Sequence, residues 1–148
     1  MYCPSQVLDE IDNNYENITS DIYWMRKDIR TMNVIDEEHK TQAGNVLDKV
    51  LKELNNEEYD NIEISFDLAA IKSEDAPGRS DIVTAEGITA DEAKEMSYIA
   101  GKSVNVKSFI ITEFNPGIET RKTGALLMEM FHSLILGAND RQEIVNSE

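Results

Sequence analysis

The chain alternates between segments of helical periodicity and short apolar runs. Apolar positions recur at helical spacing in four segments, which predicts helices over Ser5–Tyr15, Glu37–Leu54, a stretch beginning at Thr89, and Arg121–Leu136. Short runs of branched and aromatic residues predict three strands, at Ile22–Met25, Ile62–Asp67 and Val104–Ile111. Strands separated by helices of this length are typical of βαβ units, so the pattern predicts an α/β fold with a short parallel sheet and two unpaired sheet edges.

Local signals set the expected ends of these elements. Thr89 followed three residues later by Glu92 fits a capping box at a helix start. Gly101 and Gly137 are predicted to end the two helices that precede them. The segment from Leu68 to Gly87 is predicted to be a long loop, and loops of that length are more often functional than accidental. The apolar second half of the third strand predicts burial on both of its faces.

The composition and net charge indicate which kinds of partner are disfavoured and where the protein is expected to reside. The 148 residues suit a single domain spanning 1–148. A net charge of −15 disfavours nucleic acid and anionic membrane surfaces. The N-terminal residues lack the pattern of a secretory signal, and no apolar run is long enough to span a bilayer. Cys3 is the only cysteine, so no disulfide within the chain is expected, and the cytoplasm is the predicted location.

Two carboxylates fall at the predicted carboxyl ends of strands. Asp67 closes the second strand and Glu113 follows the third. Ligands of open parallel sheets bind beyond these ends, so the pair motivates a site hypothesis. The simpler alternatives are that Asp67 caps a turn and that Glu113 accepts hydrogen bonds from loop backbone groups.

A set of ordered motifs resembles the ureohydrolase (arginase, agmatinase and formimidoylglutamase) family. Ser65–Ser73 followed by Ala76-Pro77-Gly78 is similar to the signature Ser-Phe-Asp-x-Asp-x-x-Asp-Pro followed by Ala-Pro-Gly. Three further motifs follow in the family's order, at Gly87–Thr89, Thr112–Pro116 and Arg121–Gly124. The likeness runs from about Ile22 to Gly137, covers the C-terminal half of the family fold and looks closest to the formimidoylglutamase branch.

The resemblance implies a three-layer α/β/α fold and two Mn²⁺ ions that hold a hydroxide for attack on an amidine or guanidine carbon. It also implies that Asp67 is a residual metal ligand and that Glu113 grips the cationic end of a substrate. The second ligand position of the signature holds Ala69, however, and its closing Asp-Pro is Lys72-Ser73. The family's earlier histidine motifs do not occur in this sequence, so no cofactor is expected on the chain alone.

The sequence is consistent with three functions. The first is a truncated, inactive ureohydrolase relative, lacking the N-terminal half of the family fold, that acts as an interaction or regulatory subunit with a protein partner or as a homo-oligomer. The second is part of a manganese-dependent hydrolase of formiminoglutamate, agmatine or arginine, completed by another chain. The third is a module that binds a guanidino or formimino compound at Glu113 without chemistry. Because truncation does not explain Ala69 or Lys72, the sequence favours the first.

Overall fold

The computed structural model describes residues 41–56, 59–79 and 87–146, with side chains through residue 141. Helix α1 spans Gln42–Asn56, strand β1 spans Ile62–Asp67, and a single 3₁₀ turn covers Leu68–Ala70. Helix α2 spans Ala90–Lys102, strand β2 spans Val106–Thr112, and helix α3 spans Arg121–Asn146. The predicted helix Ser5–Tyr15 and strand Ile22–Met25 lie outside the described residues.

Strands β1 and β2 form a parallel pair, which confirms the predicted α/β class and short parallel sheet. A parallel pair needs a crossover between its strands, and α2 lies in that crossover. Ile62 pairs with Val106 at one end, and Asp67 pairs with Thr112 at the other. The two carboxyl ends therefore meet at one edge of the sheet.

The hydrophobic core lies between the sheet and the three helices. Phe66 of β1 packs at a ring-centroid distance of 6.0 Å from Phe109 of β2. Buried apolar side chains from each helix complete this core, among them Leu47, Leu51, Met96, Ile99, Leu126 and Met130. Burial of this apolar surface is the main favourable term in folding.

Strand β2 departs from its prediction in bounds and burial. It begins at Val106 rather than Val104, whose side chain is half-exposed, and it ends one residue later, at Thr112. Ile110 is exposed while its neighbour Ile111 is partly buried against the core. Burial on both faces was therefore wrong within the described residues, because the helices of that part of the chain cover one face of the strand.

Helix α1 begins at Gln42. Thr41 forms a bend, and its Oγ1 accepts a hydrogen bond from the N–H of Gly44 at 3.0 Å. A threonine that accepts in this way satisfies an N–H group at a helix start that lacks a partner within the helix, so the helix begins after it. Glu37, the predicted start, lies outside the described residues, and the helix ends at Asn56, two residues beyond the predicted Leu54.

The glycine predictions for the ends of α2 and α3 were wrong. Both Gly101 and Gly137 are buried inside their helices, which continue to Lys102 and Asn146. A Cβ on Gly101 would lie 2.1 Å from the carbonyl oxygen of Leu134. A Cβ on Gly137 would lie 2.1 Å from the carbonyl oxygen of Tyr98. The glycines are therefore required by the close approach of two helix backbones and not by helix termination.

The start of α2 follows its prediction. Thr89 Oγ1 accepts from the N–H of Glu92, and the Glu92 carboxylate accepts from the N–H of Thr89, at 3.2 and 2.7 Å. This reciprocal pair is the predicted capping box. Asp75 adds a third contact, because its Oδ2 accepts from the N–H of Ala90 at 3.0 Å. The loop after β1 is thereby tied to the start of α2.

Candidate functional site

Asp67 and Glu113 lie on the same rim of the sheet, as the strand pattern predicted. Asp67 is paired in register with Thr112, and Glu113 is the next residue along the chain. Neighbouring strands run about 4.8 Å apart, so the two residues are close neighbours at the backbone level. Both side chains are partly buried.

The Asp67 carboxylate has a local partner. Its Oδ1 accepts a hydrogen bond of 2.7 Å from the N–H of Ala69, which caps the 3₁₀ turn Leu68–Ala70. This is the turn-capping role that the sequence offered as the simpler alternative.

Glu113 has an unusual backbone. Its φ of 67° lies in the left-handed region, which an L-residue with a Cβ adopts at a cost of roughly 1–2 kcal/mol. Residues held in such conformations cluster at functional sites, where the surrounding structure fixes them. The following residues are fixed by two contacts, since Asn115 N–H donates to the carbonyl of Gly78 at 2.7 Å and Asn115 Oδ1 accepts from Gly117 N–H at 3.0 Å.

Arg79 is a site residue that the sequence reasoning missed. Its side chain is buried, with the residue only 3% exposed. Its Nη1 donates to the carbonyls of Ala69 and Ile71, and its Nη2 donates to Ser73 Oγ, each at 2.6 Å. The sequence signal was the position of Arg79, directly after Ala-Pro-Gly in a loop rich in turn residues. An arginine buried in such a loop must find hydrogen-bond acceptors nearby.

A second set of contacts anchors the rim to the start of α3. The N–H of Gly78 donates to Thr123 Oγ1 at 2.7 Å, and that hydroxyl donates to Glu119 Oε2 at 2.9 Å. Hydrogen bonds from the backbone N–H groups of Thr123 and Lys122 lower the pKa of the Glu119 carboxyl below its usual value of 4.5. Glu119 thus caps α3, a role that the sequence analysis did not assign.

The donor set on the rim does not fit a pair of divalent metal ions. Manganese prefers carboxylate oxygen and imidazole donors, and two ions require several of them. Asp67 and Glu113 supply one carboxylate each, Ala69 supplies no donor, and Lys72 is a cation. Within residues 41–56, 59–79 and 87–146, no three His, Cys, Asp or Glu side chains are grouped so that they could hold an ion.

No described helix is both long enough and apolar enough to cross a membrane. Helix α3 is the longest of them, with 26 residues. Its first turns carry Arg121 and Lys122, and Glu129 lies along its exposed side.

The fold is α/β with a parallel pair of strands, and proteins with open parallel sheets bind ligands beyond the carboxyl ends of such strands. A family model described as the arginase family matches residues 12–137. The chain belongs to the arginase family, as the ordered motifs predicted.

Solved structures agree with this assignment. A Trypanosoma cruzi formiminoglutamase crystallised with Mn²⁺ at pH 8.5 is 32% identical, with a TM-score of 0.54 over 60% of this chain. A Bacillus subtilis formimidoylglutamase has a TM-score of 0.66 over 93% of this chain at 19% identity. An Entamoeba histolytica arginase in complex with L-ornithine has a TM-score of 0.56 over 74% of this chain at 24% identity. The last two likenesses show the fold alone.

The chain spans only part of these proteins. It covers 31% of the T. cruzi enzyme, 39% of the B. subtilis enzyme and 33% of the E. histolytica enzyme. A search of curated proteins found no match.

Proposed function

We propose that this chain is a non-catalytic member of the arginase family that acts as an interaction or regulatory subunit. The proposal rests on the hydrogen bond made by Asp67, which stands at the first aspartate position of the signature. The Asp67 carboxylate accepts from the N–H of Ala69 at 2.7 Å, and the residue that donates stands where the signature has its second aspartate. The carboxylate thus shapes a turn at the place where the resemblance implies a pair of metal ligands.

The chemistry of the rim supports the same conclusion. The hydrolysis that the resemblance implies depends on a hydroxide held between two metal ions. Two carboxylates, those of Asp67 and Glu113, are too few donors for two divalent cations, and the Lys72 ammonium would repel such ions. No hydrolytic step can be derived from the described residues.

Exposed apolar side chains support an interaction role. Met128, Phe131 and Ile135 of α3 are 67%, 55% and 42% exposed. They are spaced by three and four residues, so they lie on one stripe of the helix. Contiguous exposed apolar surface marks interaction sites more often than single exposed residues do. A protein partner, either a second copy of the chain or a different protein, would bury this α3 stripe.

The test measures three properties of the same purified protein. Metal content by mass spectrometry, solution mass by light scattering, and turnover of formiminoglutamate, agmatine and arginine are recorded with and without added Mn²⁺. We expect no bound manganese, no turnover, and a mass above that of one chain or a co-purified partner. About two manganese ions per particle together with turnover would overturn the proposal.

A surface variant tests the α3 stripe itself. Phe131→Lys places a charge in the middle of the stripe, so we expect the assembly to dissociate while the melting temperature of the chain is retained. Lys49→Gln, at an exposed position on α1, is the matched control and should leave the mass unchanged. An unchanged mass for the Phe131→Lys protein would exclude the stripe as the interaction surface.

A second candidate is part of a manganese-dependent hydrolase completed by another chain. It is favoured by the shared rim of Asp67 and Glu113 and by the 32% identity to a formiminoglutamase crystallised with Mn²⁺. Ala69→Asp restores the signature carboxylate. If the missing ligands are all that separates this chain from such an enzyme, the variant mixed with a family N-terminal half should bind Mn²⁺. Failure to bind would reject the candidate.

Glu113 also supports binding of a guanidino or formimino compound without chemistry, because its carboxylate sits on a rigidly held backbone at the rim. Calorimetric titration with arginine, agmatine and formiminoglutamate tests this. A saturable signal that disappears in Glu113→Gln would support it, and flat titrations would reject it.

A further inference from the structure

Arg79 is a buried charge whose two terminal nitrogens have hydrogen-bond acceptors. A guanidinium carries five N–H donors in a planar fork, and burying it is costly unless acceptors surround it. The Nη1 atom bridges two backbone carbonyls, those of Ala69 and Ile71, and the Nη2 atom reaches Ser73 Oγ. All three distances are 2.6 Å, as short as or shorter than usual charge-assisted N–H···O hydrogen bonds.

These acceptors lie on the segment where the sequence departs from the ureohydrolase signature. Ala69 stands at the second aspartate position, and Ser73 stands at the proline that closes the signature. The Ser73 hydroxyl is an acceptor that a proline would lack. Ala69 and Ser73, which stand at two signature positions, are thus both hydrogen-bonded to Arg79.

Arg79 also connects this segment to the second strand end. Its backbone forms an antiparallel bridge with Phe114, which directly follows Glu113. The neighbouring Gly78 carbonyl accepts from Asn115 N–H at 2.7 Å. The same short loop therefore contacts the turn after Asp67 through its side chain and the turn after Glu113 through its backbone.

We propose that Arg79 is an internal cation that organises the rim in place of a divalent metal ion. It draws the carbonyls of residues 69 and 71 and the hydroxyl of residue 73 around one positive charge, and it fixes Asp67 and Glu113 relative to each other. This inference deepens the proposed function and rests on its metal-free rim. Arg79 acts as a positioning residue and is not proposed to contact a substrate.

The fork geometry gives the inference a specific requirement. A lysine ammonium is a compact point charge without the planar fork of a guanidinium, so it cannot reproduce the separate Nη1 and Nη2 contacts of Arg79. Arg79→Lys retains the charge and loses the fork, and Arg79→Met loses both. Arg141→Met is the matched control, because Arg141 is a partly buried arginine that donates to one backbone carbonyl, that of Ser103, at 3.0 Å.

The experiment compares these variants by thermal unfolding and by backbone hydrogen exchange, each with Mn²⁺ and with a chelator. We expect melting temperature drops of roughly 6–12 °C for Arg79→Met and a substantial drop for Arg79→Lys, but at most about 3 °C for Arg141→Met. Exchange in the Arg79 variants should accelerate more at residues 68–73 and 113–115 than in the core, since these residues also open locally. In the unmodified protein, the same amides should be equally protected with Mn²⁺ and with chelator.

The outcomes separate this inference from the proposed function. If Arg79→Lys behaves like the unmodified protein, or if exchange rises evenly along the chain, the organising role of the Arg79 fork is wrong. If chelation of the unmodified protein opens residues 68–73, a metal ion and not Arg79 holds the rim, and the inference also fails. About two manganese ions bound per particle would overturn both the proposed function and this inference, whereas the Arg79→Lys result bears on this inference alone.

Discussion

Gly101 of α2 and Gly137 of α3 mark the point where the backbones of these two helices come into contact. A Cβ on either residue would come within 2.1 Å of a carbonyl oxygen of the other helix. Real Cβ atoms do not approach oxygen so closely, and a backbone atom cannot move aside as a flexible side chain can. The pair fixes how closely α2 and α3 pack.

Gly101→Ala and Gly137→Ala should each lower the free energy of unfolding by about 3 kcal/mol or more, because the added methyl group forces the helices apart. Gly124→Ala is the control within α3, since a Cβ at Gly124 meets nothing within 4 Å. It should raise the free energy by up to about 1 kcal/mol through helix propensity. Urea unfolding measures all three, and equal effects at positions 124 and 137 would contradict the close approach.

The positive φ of Glu113 predicts a difference between two substitutions that both remove its carboxylate. Glu113→Gly relieves the left-handed strain, and Glu113→Ala keeps it. The glycine variant should therefore be more stable than the alanine variant by about 1 kcal/mol. Chemical denaturation of the two proteins measures this difference, and an alanine variant as stable as the glycine variant would show that the backbone is not strained there.

Glu119 predicts a dependence on acid pH. Its pKa is lowered by the backbone N–H of Thr123 and then of Lys122, so its ionised form stabilises the folded state. That contribution is present above the usual value of 4.5 and is lost as the pH falls through the lowered folded pKa. The gap in melting temperature between the unmodified protein and Glu119→Gln should shrink over that window. A gap that is constant in pH would contradict the assignment of the cap to the ionised carboxylate.

Tyr98 predicts a loss of stability at alkaline pH. Its hydroxyl donates to the Asp140 carboxylate. This hydrogen bond is the largest cause that raises the Tyr98 pKa above the usual value of 10.0, and burial is the next largest. A raised pKa means that the neutral phenol stabilises the fold below pH 10.0 and that this contribution is lost as the pH rises through the folded pKa. Unfolding of Tyr98→Phe and the unmodified protein should therefore converge as pH rises above about 10. Persistence of the gap at higher pH would argue against the hydrogen bond.

Local signals were sufficient for part of the structure. The capping box at Thr89 and the strand Ile62–Asp67 follow from residues within a few positions of each other, so the sequence predicts them directly. The shared rim of Asp67 and Glu113 follows from strand direction alone, because parallel strands end at one edge. The order of family motifs added the arginase assignment, which the family match confirms.

Tertiary contacts decided the rest. A glycine near the end of an apolar stripe carries the same signal whether it ends a helix or lets another helix approach, so Gly101 and Gly137 were misassigned. Arg79 was missed because its three acceptors belong to a turn whose shape is set by Asp67 and by the start of α2. Glu119 was missed because glutamate is not among the usual N-cap residues, although its carboxylate accepts from the N–H groups of Lys122 and Thr123.

The hydrogen bonds of Arg79 to its three acceptors also have a kinetic consequence. A loop that closes around a free ion forms to an extent set by the concentration of that ion. A loop that closes around a guanidinium ten residues or fewer away in the same chain has its cation at a constant effective concentration. The segment from Ala69 to Ser73 can therefore close during folding in a unimolecular step, at a rate independent of the supply of metal in the surroundings.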